Sequence, residues 1–204
     1  MSGATLQQWD DDFITGGFPG SQYPTSVINP SITGYDEPLP GIYDDGYTVP
    51  TITDPINTGS GYWAYIMGTP LIVDVTGPLQ KNQITFPVTY TDDPAQPASE
   101  DGWNLLANPY PSTIDWDGPG WTKTRINNAL YMYSPTLDQY TSYVGGIGTN
   151  GGSNLIASSQ AFLVQANAAL PLLKLQETGK NAADGLFIRA SSSTTPDDLI
   201  KLDL

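Results

Sequence analysis

The run GWNLLANPYPSTIDWD, residues 102–117, gathers two Trp, two Pro, a Tyr and two Asp around a short apolar core. Trp103, Leu105 and Ala107 alternate with Asn104, Leu106 and Asn108. A strand here has one apolar face and one mixed face. Pro109 disfavours helical geometry at Asn108 and removes a ladder donor, and Pro111 repeats the effect. The chain is therefore predicted to leave its sheet at Asn108 and run extended through Tyr110. Ser112 or Thr113 then starts a turn by bonding nearby backbone. Beyond it, Ile114 and Trp116 point one way, and Asp115 and Asp117 the other.

Two readings of this run compete. In the first it is a ligand platform, with Trp103, Tyr110, Trp116 and Trp121 stacking on sugar rings while Asn108, Asp115 and Asp117 supply hydrogen bonds. In the second, Trp103 and Trp116 are core anchors and Asn108 ties the turn. Packing weighs more heavily, because large aromatics in strands usually bury their area. Asp115 and Asp117 are also a candidate calcium pair, converging with Asn108 or a backbone carbonyl. Three oxygens are few for a cation that takes about six to eight, so waters or a second segment would have to help.

The same β grammar recurs along the chain. Apolar, β-branched and aromatic runs fall at residues 61–67, 70–77, 83–90, 128–134, 161–166, 170–176, 185–190 and 199–204. In QITFPVTY (83–90), Ile84, Phe86, Val88 and Tyr90 alternate with polar or small residues, and Pro87 points to an edge position. Gly (21 residues) and Pro (18) are spread throughout, leaving only 6–13 and 158–165 as short helical candidates. The expected fold is all-β, two tandem sandwich-like lobes with Gly/Pro-rich loops and at most short helices. Residues 1–90 form the first lobe, 91–101 a connector, 102–180 the second lobe, and 181–204 a C-terminal strand pair or the start of a next module. A faint repeat at an offset near a hundred residues supports two related lobes: ITGYDEP (32–38) matches ALYMYSP (129–135), and residues 59–77 match 158–179. On that reading the head strand of the first copy lies before Met1.

Composition narrows the function classes. The net charge is −14 and the first basic residue is Lys81. Such a surface repels phosphate backbones and anionic lipid, so nucleic acid is not an expected partner. There is no Cys and no His, which removes thiol chemistry and the commonest general base and metal ligand. No apolar run approaches the roughly 18 residues of a membrane span, and the start MSGATLQQWDDD lacks the features of a signal peptide. If the parent is secreted, the chain is expected to be an excised piece.

The remaining chemistry is acidic. Asp10–Asp12, Asp44 and Asp45, and Asp92 and Asp93 are turn acids without the spacing of a calcium loop. Paired carboxylates could hydrolyse glycosides, but the three Glu residues, Glu37, Glu100 and Glu177, carry no pocket signal. GGIGTNGGSN (145–154) reads as a mobile loop between strands, since no strand-then-helix pattern surrounds it and no Lys follows.

GWNLLANPYPSTIDWD, followed by ALYMY and then IASSQAFLVQA, resembles a repeated module in large surface proteins of Bacteroidota that commonly end in a type IX secretion sorting domain. TLQQWDDDFITGGFPGS, ITGYDEP and GSGYWAYI resemble the preceding part of the module, and the tail from LFIRA resembles the start of the region that usually comes after the module. The sorting domain itself is absent. The chain departs from the family at Ser159, where Gly is common. The resemblance implies export and surface display and no established catalytic residue. The expected function is a non-enzymatic structural or adhesive module at the cell surface, beside neighbouring domains of the same parent chain. Its partners would be a polysaccharide or another surface protein, without direct membrane insertion. A carbohydrate-binding module and a glycoside hydrolase-like enzyme are the alternatives. No cofactor beyond possible calcium is expected.

Overall fold

A computed structural model of the chain describes residues 4–24, 29–66, 77–185 and 188. The strands expected within 67–76, and the tail pair with Phe187, Leu199, Ile200 and Leu202, lie outside the described residues. Among the described residues the fold is all-β. Helix among these residues is confined to three 3-10 turns, Leu6–Trp9, Tyr43–Gly46 and Glu177–Gly179. The helical candidate at 6–13 thus shrinks to one turn. The candidate at 158–165 is instead mostly strand, because Phe162 and Val164 alternate into a core.

The described residues contain thirteen strands: β1 (Ile32–Tyr35), β2 (Tyr47–Thr48), β3 (Trp63–Ala64), β4 (Ile84–Thr85), β5 (Trp103–Ala107), β6 (Ile114–Asp115), β7 (Trp121–Thr124), β8 (Ala129–Ser134), β9 (Gln139–Val144), β10 (Ile147–Thr149), β11 (Leu155–Ile156), β12 (Ala161–Gln165) and β13 (Leu172–Leu175). They form four antiparallel sheets: β10-β9-β8-β12-β5, β4-β13-β7, β2-β1-β3 and the pair β11-β6. The five-stranded and β4-β13-β7 sheets enclose the main core. Leu106, Leu130, Met132, Phe162 and Val164 from one face meet Ile84, Leu173 and Leu175 from the other, with Trp116 and Tyr110 between. A second, separate cluster of Leu6, Phe13, Phe18 and Ile32 holds the N-terminal segment.

Strand β4 and the alternating residues Phe86, Val88 and Tyr90 pack on the main core, not with the N-terminal cluster. This differs from the expected first lobe of 1–90. The ladder of β4 ends before Pro87, as a residue without a donor requires. The sheet is edged there, and a side chain takes over: Asn104 of β5 accepts from the Thr89 amide and donates to its carbonyl, both at 2.9 Å.

The five-stranded sheet is covered on both faces. Leu105 and Leu163 point away from the sandwich interior, yet both are buried. Residues 59–61 run along the free edge of β5, with Ala107 N–H donating to Gly59 and Gly61 N–H donating to Leu105. Gly61 permits this approach, since a Cβ there would lie 2.6 Å from the Leu106 carbonyl oxygen. A strand buried on both sides reads as a near-continuous apolar run, which is why LLA and AFLV lack clean alternation. The expected loop at 145–154 contains a short strand, β10: Gly145 and Gly146, both with positive φ, make the two-residue turn of the β9–β10 hairpin.

Trp116 is the largest fully buried side chain, in edge contact with Trp121 and Phe162 at 4.9 and 6.3 Å. Trp116→Ala is expected to cost about 3–5 kcal/mol. Urea unfolding checks this; a loss below about 1 kcal/mol would show that the sandwich does not rest on this ring.

Candidate functional site

The motif turns inward at Asn108. Its side chain, 1% exposed, replaces the ladder that Pro109 and Pro111 interrupt. The two N–H groups of the amide nitrogen reach three carbonyls, Ser112 (2.8 Å), Ala157 (3.0 Å) and Ile156 (3.1 Å), one N–H being shared, and Oδ1 accepts from Tyr110 N–H at 3.0 Å. Its backbone also pairs with Gln160 and Ser159. Tyr110 is equally buried, and its hydroxyl reaches the carbonyls of Asn82 (2.5 Å) and Leu175 (3.2 Å) across the core. Burial, then the nearby Glu177, pushes that phenol up to about 12. The tail is tied to the same turn: Asn181 N–H donates to the Thr113 carbonyl, and Gly185 N–H to the Thr113 hydroxyl.

Ser159, which faces Asn108 across this tie, has φ +61°. An L residue in that region costs roughly 1–2 kcal/mol, whereas Gly adopts it freely. The chain therefore carries local strain at Ser159. Ser159→Gly is expected to raise stability by about 0.5–1 kcal/mol, the relief being partly offset by a more flexible unfolded chain. A urea midpoint that falls instead would locate a contact of the Ser side chain that matters more than its backbone.

The sequence-predicted site residues do not assemble into one surface. Asn108, Tyr110 and Trp116 are core. Trp121 is half-buried and stacked on Phe86 at 5.7 Å. Trp103 lies on the opposite face of the five-stranded sheet. Asp115 and Asp117 are each engaged: Asp115 accepts from Asp117 N–H, Asn154 and Asn181, and Asp117 accepts from the Tyr143 hydroxyl. Asn108 bonds elsewhere and does not converge with them. Lys123 closes this corner. Its ammonium sits 3.6 Å from the centre of the Trp116 ring and donates to the Trp116 carbonyl at 2.7 Å. Burial pushes it down to about 8, with Asp117 and then Asp115 opposing.

Trp103 belongs to an aromatic layer on the outer face of the sheet. It meets Tyr131 of β8 at 5.3 Å and Tyr43 of the N-terminal segment at 5.6 Å. Trp63 of β3 meets Tyr133 at 5.1 Å, and Tyr35, Tyr43 and Tyr47 pack on one another. The Tyr43 hydroxyl bonds those of Tyr47 and Tyr140. Burial drives the phenols of Tyr35, Tyr43 and Tyr47 far above their ordinary 10.0. Edge-to-face pairs of this kind contribute about 0.5–1.5 kcal/mol each beyond their burial.

These shifts fix the alkaline profile. Folded Lys123 releases its proton near 8 and unfolded Lys123 near 10.5. The unfolded state then binds more protons, and stability rises with pH over that interval. The buried phenols act oppositely: above 10.0 the unfolded chain ionises them while the folded chain does not, so stability falls. Thermal melts from pH 7 to 12 are expected to show a shallow rise and then a steep loss. Lys123→Met should flatten the rise and Tyr43→Phe should blunt the loss; a profile unchanged in both variants would remove these groups as its cause.

Beside the aromatic layer lies a cleft of about 190 Å³ whose wall includes Glu37, Asp92, Asp93, Glu100 and Asp101. Glu37 accepts from the Thr91 amide and hydroxyl, Glu100 from Tyr43 N–H, and Asp93 from Gly41 N–H. Two of the three Glu residues thus line a cleft, contrary to the sequence expectation. Their partners stand 54 and 57 residues away in sequence, which no local pattern reveals.

Scans against protein-family models, curated proteins and solved structures return no match for this chain. Among the described residues, no helix is long and apolar enough to cross a membrane.

Proposed function

We propose that the chain is a non-enzymatic structural or adhesive module of a secreted bacterial cell-surface protein, set among neighbouring domains of the same parent. The observation that carries this reading is the direction of the motif. The residues with the most ligand-like chemistry, Asn108, Tyr110 and Trp116, are buried and bonded within the fold. Their pattern serves the scaffold, as a recurring module requires, and leaves surface loops free to vary. The resemblance of NPYPS and its flanking segments to the repeated Bacteroidota module supports export by the type IX route. Strand pairing supports a tandem relation as well. The order β2-β1-β3 recurs as β9-β8-β12, all antiparallel, and the sequence matches at 32–38 and 129–135 fall on β1 and β8.

A glycan array and a panel of polysaccharide hydrolysis assays, each with calcium and with chelator, test the reading. The expected result is no retained glycan and no released sugar under either condition. A glycan retained by the wild type and lost in Trp103→Ala or Trp121→Ala would replace it with a carbohydrate-binding module. Sugar release abolished by Glu37→Gln or Glu100→Gln would replace it with a hydrolase.

A further inference from the structure

We propose that the acidic cleft beside Trp103 binds an ammonium or guanidinium group, as carried by a lysine or arginine side chain of a partner protein. Five carboxylates line it, and no lining residue is basic. Three of them, Glu37, Glu100 and Asp93, hold backbone amides of the N-terminal segment and the connector, which fixes the wall in place. Asp101 is different. It is 6% exposed, its Oδ1 accepts from Asp93 N–H at 3.3 Å, and its Oδ2 has no hydrogen-bond partner. A buried carboxylate oxygen left without a donor is costly, and a rotation of the Asp101 carboxylate toward the cleft it lines would let a cation there supply the missing N–H. The neighbouring carboxylates add a negative potential to the cleft.

The arrangement suits an organic cation better than a metal ion. Among the described residues, no three carboxylates converge as a metal cage. The cleft wall also carries Tyr35 and Trp103. Flat rings favour a guanidinium, which stacks while its edge donates, and they accommodate the stem of a lysine. The volume suits one long side chain rather than a folded ligand.

The test is titration of the isotope-labelled chain, followed by amide and indole shifts, with four probes. These are acetyl-Ala-Arg-Ala-amide, the same peptide with citrulline, agmatine, and calcium chloride. Saturable shifts confined to residues 35–43 and 91–103 are expected with the arginine peptide and not with citrulline. Asp101→Asn keeps the Oδ1 acceptor and should weaken binding by about tenfold or more. Asp92→Asn, at an exposed position, should weaken it less, and it serves as the readout if the first variant does not fold. Agmatine binding as tightly as the peptide would support the cation site and overturn a protein side chain as its source. Shifts at the cleft with calcium alone would overturn the organic cation. Equal shifts with the citrulline peptide, or none with any probe, would overturn the site.

Discussion

The fold depends on a substitution of one hydrogen-bonding group for another at Asn108. A strand that ends in Asn-Pro-Tyr-Pro loses two backbone donors within three residues, next to the buried Asn108 and Tyr110. Asn108 supplies the donors and the acceptor from its own side chain and anchors them on the carbonyls of Ser112, Ile156 and Ala157. Each such bond contributes only about 0.5–1.5 kcal/mol net, but each buried carbonyl left unpaired would cost about 1–3 kcal/mol. With the turn held, Tyr110 drops into the core and spans it to β13, and the chain emerges in the register that sends Trp116 inward. The interior of the sandwich follows from that register.

A second constraint acts on the other side of the same sheet. Its outer face carries Leu105, Leu163 and the four rings of Trp103, Tyr131, Tyr133 and Tyr140, too much apolar surface to leave in water. The N-terminal segment meets this need with Tyr43 and Trp63; among the described residues its own cluster has four buried members, two of them aromatic. Tyrosines suit the position because their rings pack while their hydroxyls find partners. The arrangement also brings Glu37 and the Gly41–Tyr43 backbone onto the acidic connector, creating the cleft.

Much of this was legible in the sequence, and the limits are physical. The alternation of Ile114 and Trp116 against Asp115 and Asp117 foretold which side chains turn inward, and Pro87 foretold a ladder ending at an edge. The left-handed backbone of Ser159 was not foreseen, because nothing in its local sequence requires a positive φ there. Trp103 was harder to place, because alternation tells that a ring is buried but not which of two layers covers it. The Gly145-Gly146 turn was present as a hairpin signal and was hidden by the Gly-rich run that surrounds it. The cleft was not legible at all, since its carboxylates converge only through the packing of distant loops.

The most direct measurement is native-state hydrogen exchange of the Tyr110 and Ser159 amides, which donate to the Asn108 side chain and backbone. If Asn108 holds the register of the sandwich, both amides should exchange only with global unfolding, as slowly as the central amides of β5 and β12. In Asn108→Ala, all of these amides should accelerate together. Rapid exchange at Tyr110 and Ser159 while β5 and β12 stay protected would contradict it, showing a turn that opens without loosening the sheets it was held to join.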